Sequence, residues 1–487
     1  MTRFVWGRAG LLSGIACIAA MQAPSARADT LREALVLAYQ TNPTLQAARA
    51  QQRGVDEGVP IARAAGLPSV SADGRYTEFV KQSSTAFNAP DRAVNANTNL
   101  NVPIYSGGLV KNQIKAAKIR VEAGQASLRG SESSVFSSVV AAYMDVIRNE
   151  AIVGLNHNQV DVLKVNLQAT SDRYEIGDLT RTDVAQSQSR LALAQSDART
   201  AEANLAAARE TYIQLVGKAP EALETPPPLP NLPDSPQTAV DQALEHNPDL
   251  IAARERTLAA EKDIDVAGAG RLPKVSLFTS GAYNNYLGTL VSGGQGGGSA
   301  RQAETTAQAG ASISIPLFQG GLPAAQRRQA QASASTALEN EIAIERQVIA
   351  QVRSAYTSWI ASKDLIRSTQ VAVDAAKLSL EGVRAENTVG NRTILDILNA
   401  EQELLNAEVQ FVTARRNAYV AGFSLLAAMG RAEARDLNLD GGILYDPDVN
   451  YERVKGKIFD WENDPAPVAQ STRTVDTPLQ DGEIPQN

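Results

Sequence analysis

Between residues 191 and 215 apolar side chains recur in steps of three and four: Leu191, Ala194, Ala198, Ala201, Leu205, Ala208, Tyr212 and Leu215. The same stepping returns 213 positions later at Leu404, Ala407, Phe411, Ala414, Ala418, Ala421, Leu425 and Ala428. A stripe of this period is a coiled-coil seam, and its alanines let two backbones approach closely. Each seam follows a longer helical stretch, about 107–173 and 320–386. Sixty-odd residues at 1.5 Å each make a rod of roughly 100 Å, while the returning helices, about 180–216 and 393–429, reach roughly 55–60 Å. The pattern predicts two long antiparallel hairpins. A first helix in each half, about Leu31 to Ala65 in the first, makes up the missing length by stacking on a returning helix.

A different period marks the segments between. Asn97, Asn99 and Asn101 alternate with Thr98, Leu100, Val102 and Ile104, and Thr306, Gln308, Gly310, Ser312 and Ser314 alternate with Ala307, Ala309, Ala311, Ile313 and Ile315. Period two means strands, expected at about 69–79, 97–105, 274–284 and 305–317. A soluble sandwich shows this alternation, and so does a membrane barrel with its apolar side to lipid and its polar side to a wet lumen. Tyr76, Phe79, Tyr105, Tyr283, Tyr286 and Phe318 fall near strand ends, where interface girdles belong. Four strands cannot close a barrel, since the smallest have eight, so membrane strands would have to be shared between chains.

The chain is written twice. Asn42-Pro43-Thr44-Leu45 returns as Asn247-Pro248-Asp249-Leu250, a shift of 205. Val102-Pro103-Ile104-Tyr105-Ser106-Gly107-Gly108 returns as Ile315-Pro316-Leu317-Phe318-Gln319-Gly320-Gly321, a shift of 213 that persists to Gly217 and Gly430. Eight added residues therefore lie between, in the Gly-rich stretch near 284–304. The repeats span 29–217 and 239–430, joined by a Pro-rich extended connector at 218–238. Residues 431–463 form a mixed segment, read as equatorial, with Trp461 a candidate anchor. The polar, Pro-containing tail at 464–487 reads as disordered.

Residues 1–28 read as a secretory signal: Arg3 and Arg8, an apolar core from Leu11 to Ala20, and an A-x-A site ending at Ala28. Cleavage there removes Cys17, the one cysteine; cleavage before Cys17 as a lipoprotein is the competing reading, with Gly14 where a leucine is usual. A net charge of −7 without a block of one sign argues against nucleic acid. No stretch of about 19 apolar residues follows the signal, so no helical span is expected. Two histidines, His157 and His246, and no mature cysteine leave a metal or nucleophilic site almost without ligands, and no nucleotide or hydrolase motif is present. The Gly-rich run 293–298 has no helix-opening lysine after it and reads as a loop. No cofactor and no enzyme activity are expected.

The N-P-x-L of each half, the P-[IL]-[YF]-x-G-G after each strand pair, and the turns Tyr174-Glu175-Ile176-Gly177 and Asn387-Thr388-Val389-Gly390 together resemble the outer-membrane efflux proteins typified by TolC, over roughly 30–430. The resemblance implies a mainly α fold with membrane β: a homotrimer whose coiled-coil hairpins form a periplasmic tunnel below a shared twelve-stranded barrel. It further implies a passive export duct docking onto a periplasmic adaptor (a membrane fusion protein) and an inner-membrane transporter of ABC or RND type. Its closed periplasmic tip falls, position by position, on Arg392, Asp396, Thr182 and Asp183, with Asn387 and Asn399 where the family has a tyrosine and a second acid. Three Asp396 carboxylates on one axis would repel and raise each other's pKa unless an arginine offsets this. A plainer reading makes Asp183 and Asp396 helix caps. The alternative to the duct is a soluble periplasmic coiled-coil adaptor or scaffold with an ordinary β-domain.

Overall fold

The structure is a computed structural model that describes residues 29–82, 90–290, 301–439 and 444–484. The expected signal segment with Ala28 and Cys17, and the glycine run at 293–298, lie outside the described residues.

Each half begins with N-P-x-L, and the geometry explains every letter. Asn42 is extended, and its side-chain oxygen accepts from the amides of Thr44 and Leu45, opening α2 (Pro43–Asp56) after α1 (Leu31–Thr41). Pro43 at the first helical position gives up an amide that would have no partner there. Leu45 is fully buried. Asn247, Pro248 and Leu250 repeat this between α6 (Pro236–His246) and α7 (Pro248–Gly268). The single first helix expected over 31–65 is thus three pieces, the last being α3 (Gly58–Ala64). A capped Asn-Pro step cannot continue a helix through itself.

The same asparagines build the end-to-end stacking. Asn42 Nδ2 donates to the carbonyl of Leu215 at 2.9 Å, the last turn of α5 (Arg181–Val216). Asn247 Nδ2 donates to that of Ala428 at 2.9 Å, the end of α9 (Ile394–Ala428). Carbonyls left open at a helix end are closed by the cap of the helix that follows in space.

The long helices are α4 (Leu109–Glu175) and α8 (Leu322–Thr388), 67 residues each. They pair with α5 and α9, and none of the sixteen seam positions is exposed. The largest apolar cluster lies midway along α4, around Phe136, Val139, Tyr143 and Leu205, and takes in α1 and Ala432, Ala434 and Leu439. Tyr143 places its hydroxyl 2.9 Å from the Asp29 carbonyl and 2.7 Å from that of Glu224, fixing the first described residue and the connector to α4.

Strands β1 (Ser69–Glu78), β2 (Arg92–Tyr105), β3 (Lys274–Asn285) and β4 (Ala303–Ser314) form one antiparallel sheet in sequence order. The pair Ser69↔Asn101 opens the first ladder and Lys274↔Ser314 the second, the same register carried by shifts of 205 and 213. All eight extra residues therefore sit in the β3–β4 loop. Strand β4 stops at Ser314, short of the expected 317.

Beyond the repeats, α10 (Pro447–Val454) packs on α2, where Asn450 Nδ2 donates to the buried Asp56 at 2.6 Å. Trp461 is 94% exposed and anchors nothing among the described residues. Residues 464–484 differ from the disordered tail expected. Arg209 of α5, its side chain 8% exposed, donates to the carbonyls of Asp481 and Glu483 at 3.0 Å each and pairs with Glu150 at 3.1 Å. The Gln480 amide donates to Glu210, and Gly482 lies against the backbone at Glu202. A segment poor in apolar residues is held by its own carbonyls against a buried cation, which no composition argument anticipates.

Candidate functional site: the hairpin tips and the polar face of the sheet

Both hairpins turn by the same device. Gly177 and Gly390 have φ of +82° and +81°. The amides of Asp178 and Asn391 reach back to Arg173 and Glu386 at 2.9 and 3.0 Å, closing the outgoing helices. Thr180 and Thr393 then open α5 and α9, each accepting from the amide of an aspartate three residues on. Asp183 and Asp396 answer by accepting from the threonine amides, both at 2.9 Å. These reciprocal capping boxes make Asp183 and Asp396 helix caps within the chain.

The caps set the acidities. The Thr180 hydroxyl, then its amide, hold the Asp183 carboxyl below the usual carboxylate range. The Thr393 amide and hydroxyl do the same for Asp396, with Arg392 nearby adding to it. A carboxylate depressed in the fold stabilises above its unfolded pKa, and that contribution fades as pH falls through the folded value. Both caps are therefore expected intact from pH 7 to 5 and lost only below about pH 4. Hydrogen exchange at amides 180–184 and 393–397, corrected for its intrinsic pH dependence, checks this. Fraying of the Asp183 cap above pH 5 would contradict it.

Within one chain the other tip residues mostly serve their own turn. Arg392 Nε pairs with Glu386 at 2.7 Å, and Asn387 Nδ2 donates to the Arg392 carbonyl at 2.7 Å. Thr182 is exposed in the first turn of α5. Asn399 behaves differently: its side-chain oxygen accepts from Arg190 of α5 at 2.8 Å, linking the second hairpin to the first.

A second link was missed in the sequence. Glu401, 2% exposed, accepts from Asn166 Nδ2 of α4 at 3.0 and 3.1 Å and from Arg384 of α8 at 3.0 Å. One carboxylate thus gathers three long helices. The seam's alternation steps back from Leu404 by four to the buried Ala400, and Glu401 lies beside the stripe, so the periodicity does not single it out. Arg384 lies across the hairpin turn, 17 residues back, while Asn166 is 235 residues away and only the packing brings it in.

The sheet supplies the other half of the site. The row Asp73, Asn97, Ala282, Thr306 and the row Arg75, Asn95, Asn284, Glu304 lie on one face. Asn97 donates to Asp73 at 3.0 Å and Asn95 to Asn284 at 2.6 Å. The opposite face carries Val70, Leu100, Thr279 and Ala309 in one row and Tyr76 and Val94 in another. Phe278 interrupts the polar face, its ring against Gly310, where an added Cβ would lie 3.0 Å from it. One sheet face suits water and the other suits lipid, and the described residues cover neither.

The model of the outer membrane efflux protein family matches residues 34–218 and 239–431, the two repeats in turn. The outer membrane efflux protein BepC of Brucella suis is 31% identical over 435 residues, 89% of this chain and 92% of that protein. The outer membrane protein TolC of Escherichia coli is 27% identical over 463 residues, 92% of this chain and 93% of its own. The crystal structure of the Campylobacter jejuni CmeC outer membrane channel has a TM-score of 0.72 at 17% identity, covering 88% of this chain and 89% of that one, and shares the fold. The soluble scaffold reading is thereby set aside in favour of an efflux channel of the outer membrane. With both repeats matched in order, the chain belongs to the outer membrane efflux protein family, whose members are transport channels and not enzymes.

Proposed function

We propose that three copies share one barrel of twelve strands and one periplasmic tunnel, and that the tunnel tip is a gate. The observation that carries this is the sheet: four strands, one polar face, one apolar face and two unpaired edges. Backbone edges cannot stand in lipid, and four strands cannot close, so closure requires further copies. The strands alternate in direction, so the free edge of β4 meets the free edge of β1 antiparallel.

The duct is passive. Its partners are a periplasmic adaptor and an inner-membrane pump of ABC or RND type, which supplies the energy, and its cargo is proteins or small toxic compounds. At the tip, Asp396 of each copy approaches the axis as a ring that favours cations, while Arg190–Asn399 and Arg384–Glu401–Asn166 hold the hairpins together. Thr182 and Asp183 on the first hairpin, and Asn387 and Arg392 on the second, are the remaining contacts of the gate.

Single-channel conductance in a planar bilayer tests the reading, with wild type beside Asp396→Asn and Asp183→Asn. Wild type is expected to insert with small, cation-preferring conductance. Asp396→Asn is expected to lose the preference, and Asp183→Asn, which disturbs the equivalent cap, to keep it. Equal behaviour of the two variants would reduce Asp396 to a cap. A folded preparation that never inserts would remove the duct.

A further inference from the structure

The groove between α4 and α5 holds a ligand that belongs to the chain itself. Beyond Asp464, which pairs with Arg453 of α10 at 2.7 Å, the polypeptide reaches the end of α5, where a Cβ at Gly217 would lie 2.7 Å from the Thr472 hydroxyl. It then runs back along α5. The Gln480 amide donates to Glu210, the Asp481 and Glu483 carbonyls accept from Arg209, and Gly482 crosses at Glu202. Ile484 lies over α4, its δ carbon 3.8 Å from where a Cβ on Gly154 would stand, and packs against the main apolar cluster. We infer that this groove is a peptide-binding site and that residues 480–484 are its resident occupant, a strap that can leave and be replaced.

The groove reads main chain. The Arg209 side chain is 8% exposed, and Glu150 of α4 pairs with it at 3.1 Å. Its charge is therefore balanced inside the hairpin, and the strap is not needed to neutralise it. What the strap supplies is two carbonyls, both accepting from Nη1 at 3.0 Å. Hydrogen bonds from an ionised donor are the stronger kind, and every peptide carries the acceptors for them. Selectivity comes from Gly482, where the segment bends. A Cβ there would lie 2.3 Å from the Glu202 carbonyl oxygen and 2.5 Å from its carbonyl carbon, both main chain. The ligand that fits is a segment bent at a glycine, with an apolar residue two positions on.

The duplication shows that packing alone does not call for such a site. By the shift of 213, Glu150 and Arg209 correspond to Lys363 and Gly422. A Cβ at Gly422 would lie 2.9 Å from a δ carbon of Leu229 and 3.4 Å from the Trp359 ring. The second hairpin thus fills the equivalent place with an apolar side chain from the connector. The first hairpin instead buries a cation, whose Nε has no partner among the described residues, and turns it towards carbonyls. The tether leading to the strap is loosely attached: residues 465–470 are exposed throughout, as are most of 472–479. A tether raises the local concentration of a weak ligand, so an occupant of modest affinity keeps the site filled and shuts it to others.

A fluorescent peptide of residues 474–484, titrated against the full chain in detergent and followed by anisotropy, tests this. Wild type is expected to exclude the peptide. Gly482→Ala, which unseats the strap, is expected to bind it. Gly456→Ala, where nothing lies within 4 Å of an added Cβ, should exclude it like wild type. The same peptide carrying Gly482→Ala should bind the unseated protein roughly tenfold or more weakly, as a main-chain clash requires. That comparison needs no second change in the protein. Adding Arg209→Gln to the Gly482→Ala chain should abolish binding. Failure of Gly482→Ala to take the peptide at millimolar concentration overturns the inference and makes residues 480–484 part of the fold. Equal binding by wild type, or no discrimination against the altered peptide, places the peptide elsewhere and overturns it as well.

Discussion

Gly430→Ala is expected to cost about 3 kcal/mol or more per chain and to lower sharply the temperature at which the oligomer dissociates. Gly430 follows the end of α9 at φ +72°, where its amide and that of Arg431 reach back to Ala427 and Leu426 at 3.0 and 2.9 Å. An L-residue in this conformation costs about 1–2 kcal/mol by itself. The larger effect is steric: a Cβ would lie 2.3 Å from the His246 carbonyl oxygen and 2.9 Å from the Asn247 amide nitrogen. Both are backbone, in the joint where Asn247 caps α7 and donates to Ala428, so neither can swing away. Gly217→Ala is the internal comparison. Its φ of +86° imposes the same strain, but the Cβ meets the hydroxyls of Thr472 and Thr41 at 2.7 and 3.3 Å, which can rotate. A smaller loss at Gly217 than at Gly430 is the expected result. Equal losses would show that backbone strain, and not the joint, sets the cost.

Glu401→Ala is expected to open the tip and raise single-channel conductance, given the proposed gate. Hydrogen bonds to a charged group contribute about 1.5–3 kcal/mol, and Glu401 accepts from two side chains on two other helices. Arg384 is half exposed and keeps water when abandoned, so the loss stays below the 3–5 kcal/mol of a wholly buried pair. If the link exists only while the tip is closed, each chain loses roughly tenfold or more in its closed-to-open ratio. Glu386→Gln is the control, since it breaks an exposed pair with Arg392 inside one turn, where ion pairs contribute little. Conductance unchanged in Glu401→Ala, with a lowered dissociation temperature, would make the link structural and equal in both states.

The elements that depend on neighbours in sequence were legible in the chain itself. Period-two asparagines in β2, the 3-4 seams of α5 and α9, and the glycines of the two turns each encode their structure locally. The shift from 205 to 213 placed the loop insertion, and the register of both strand pairs follows it. Thr180-x-x-Asp183 and Thr393-x-x-Asp396 encode the two capping boxes by themselves, and the capping falls to Thr180 and Thr393, not to Thr182.

What the tertiary structure decided are meetings between residues far apart along the chain. Asn42 and Asn247 read as markers of a repeat until the fold set each against the last carbonyls of a returning helix. The buried Glu401 needs donors, and packing names Asn166 as one of them. Arg209 draws a polar tail onto α5 through carbonyls that every sequence possesses equally. The physical reason is common to all of these. Periodicity and capping are encoded within a few residues, whereas the partner of a buried polar group is chosen by whichever surface the folded chain brings within 3 Å, and a linear sequence carries no distances.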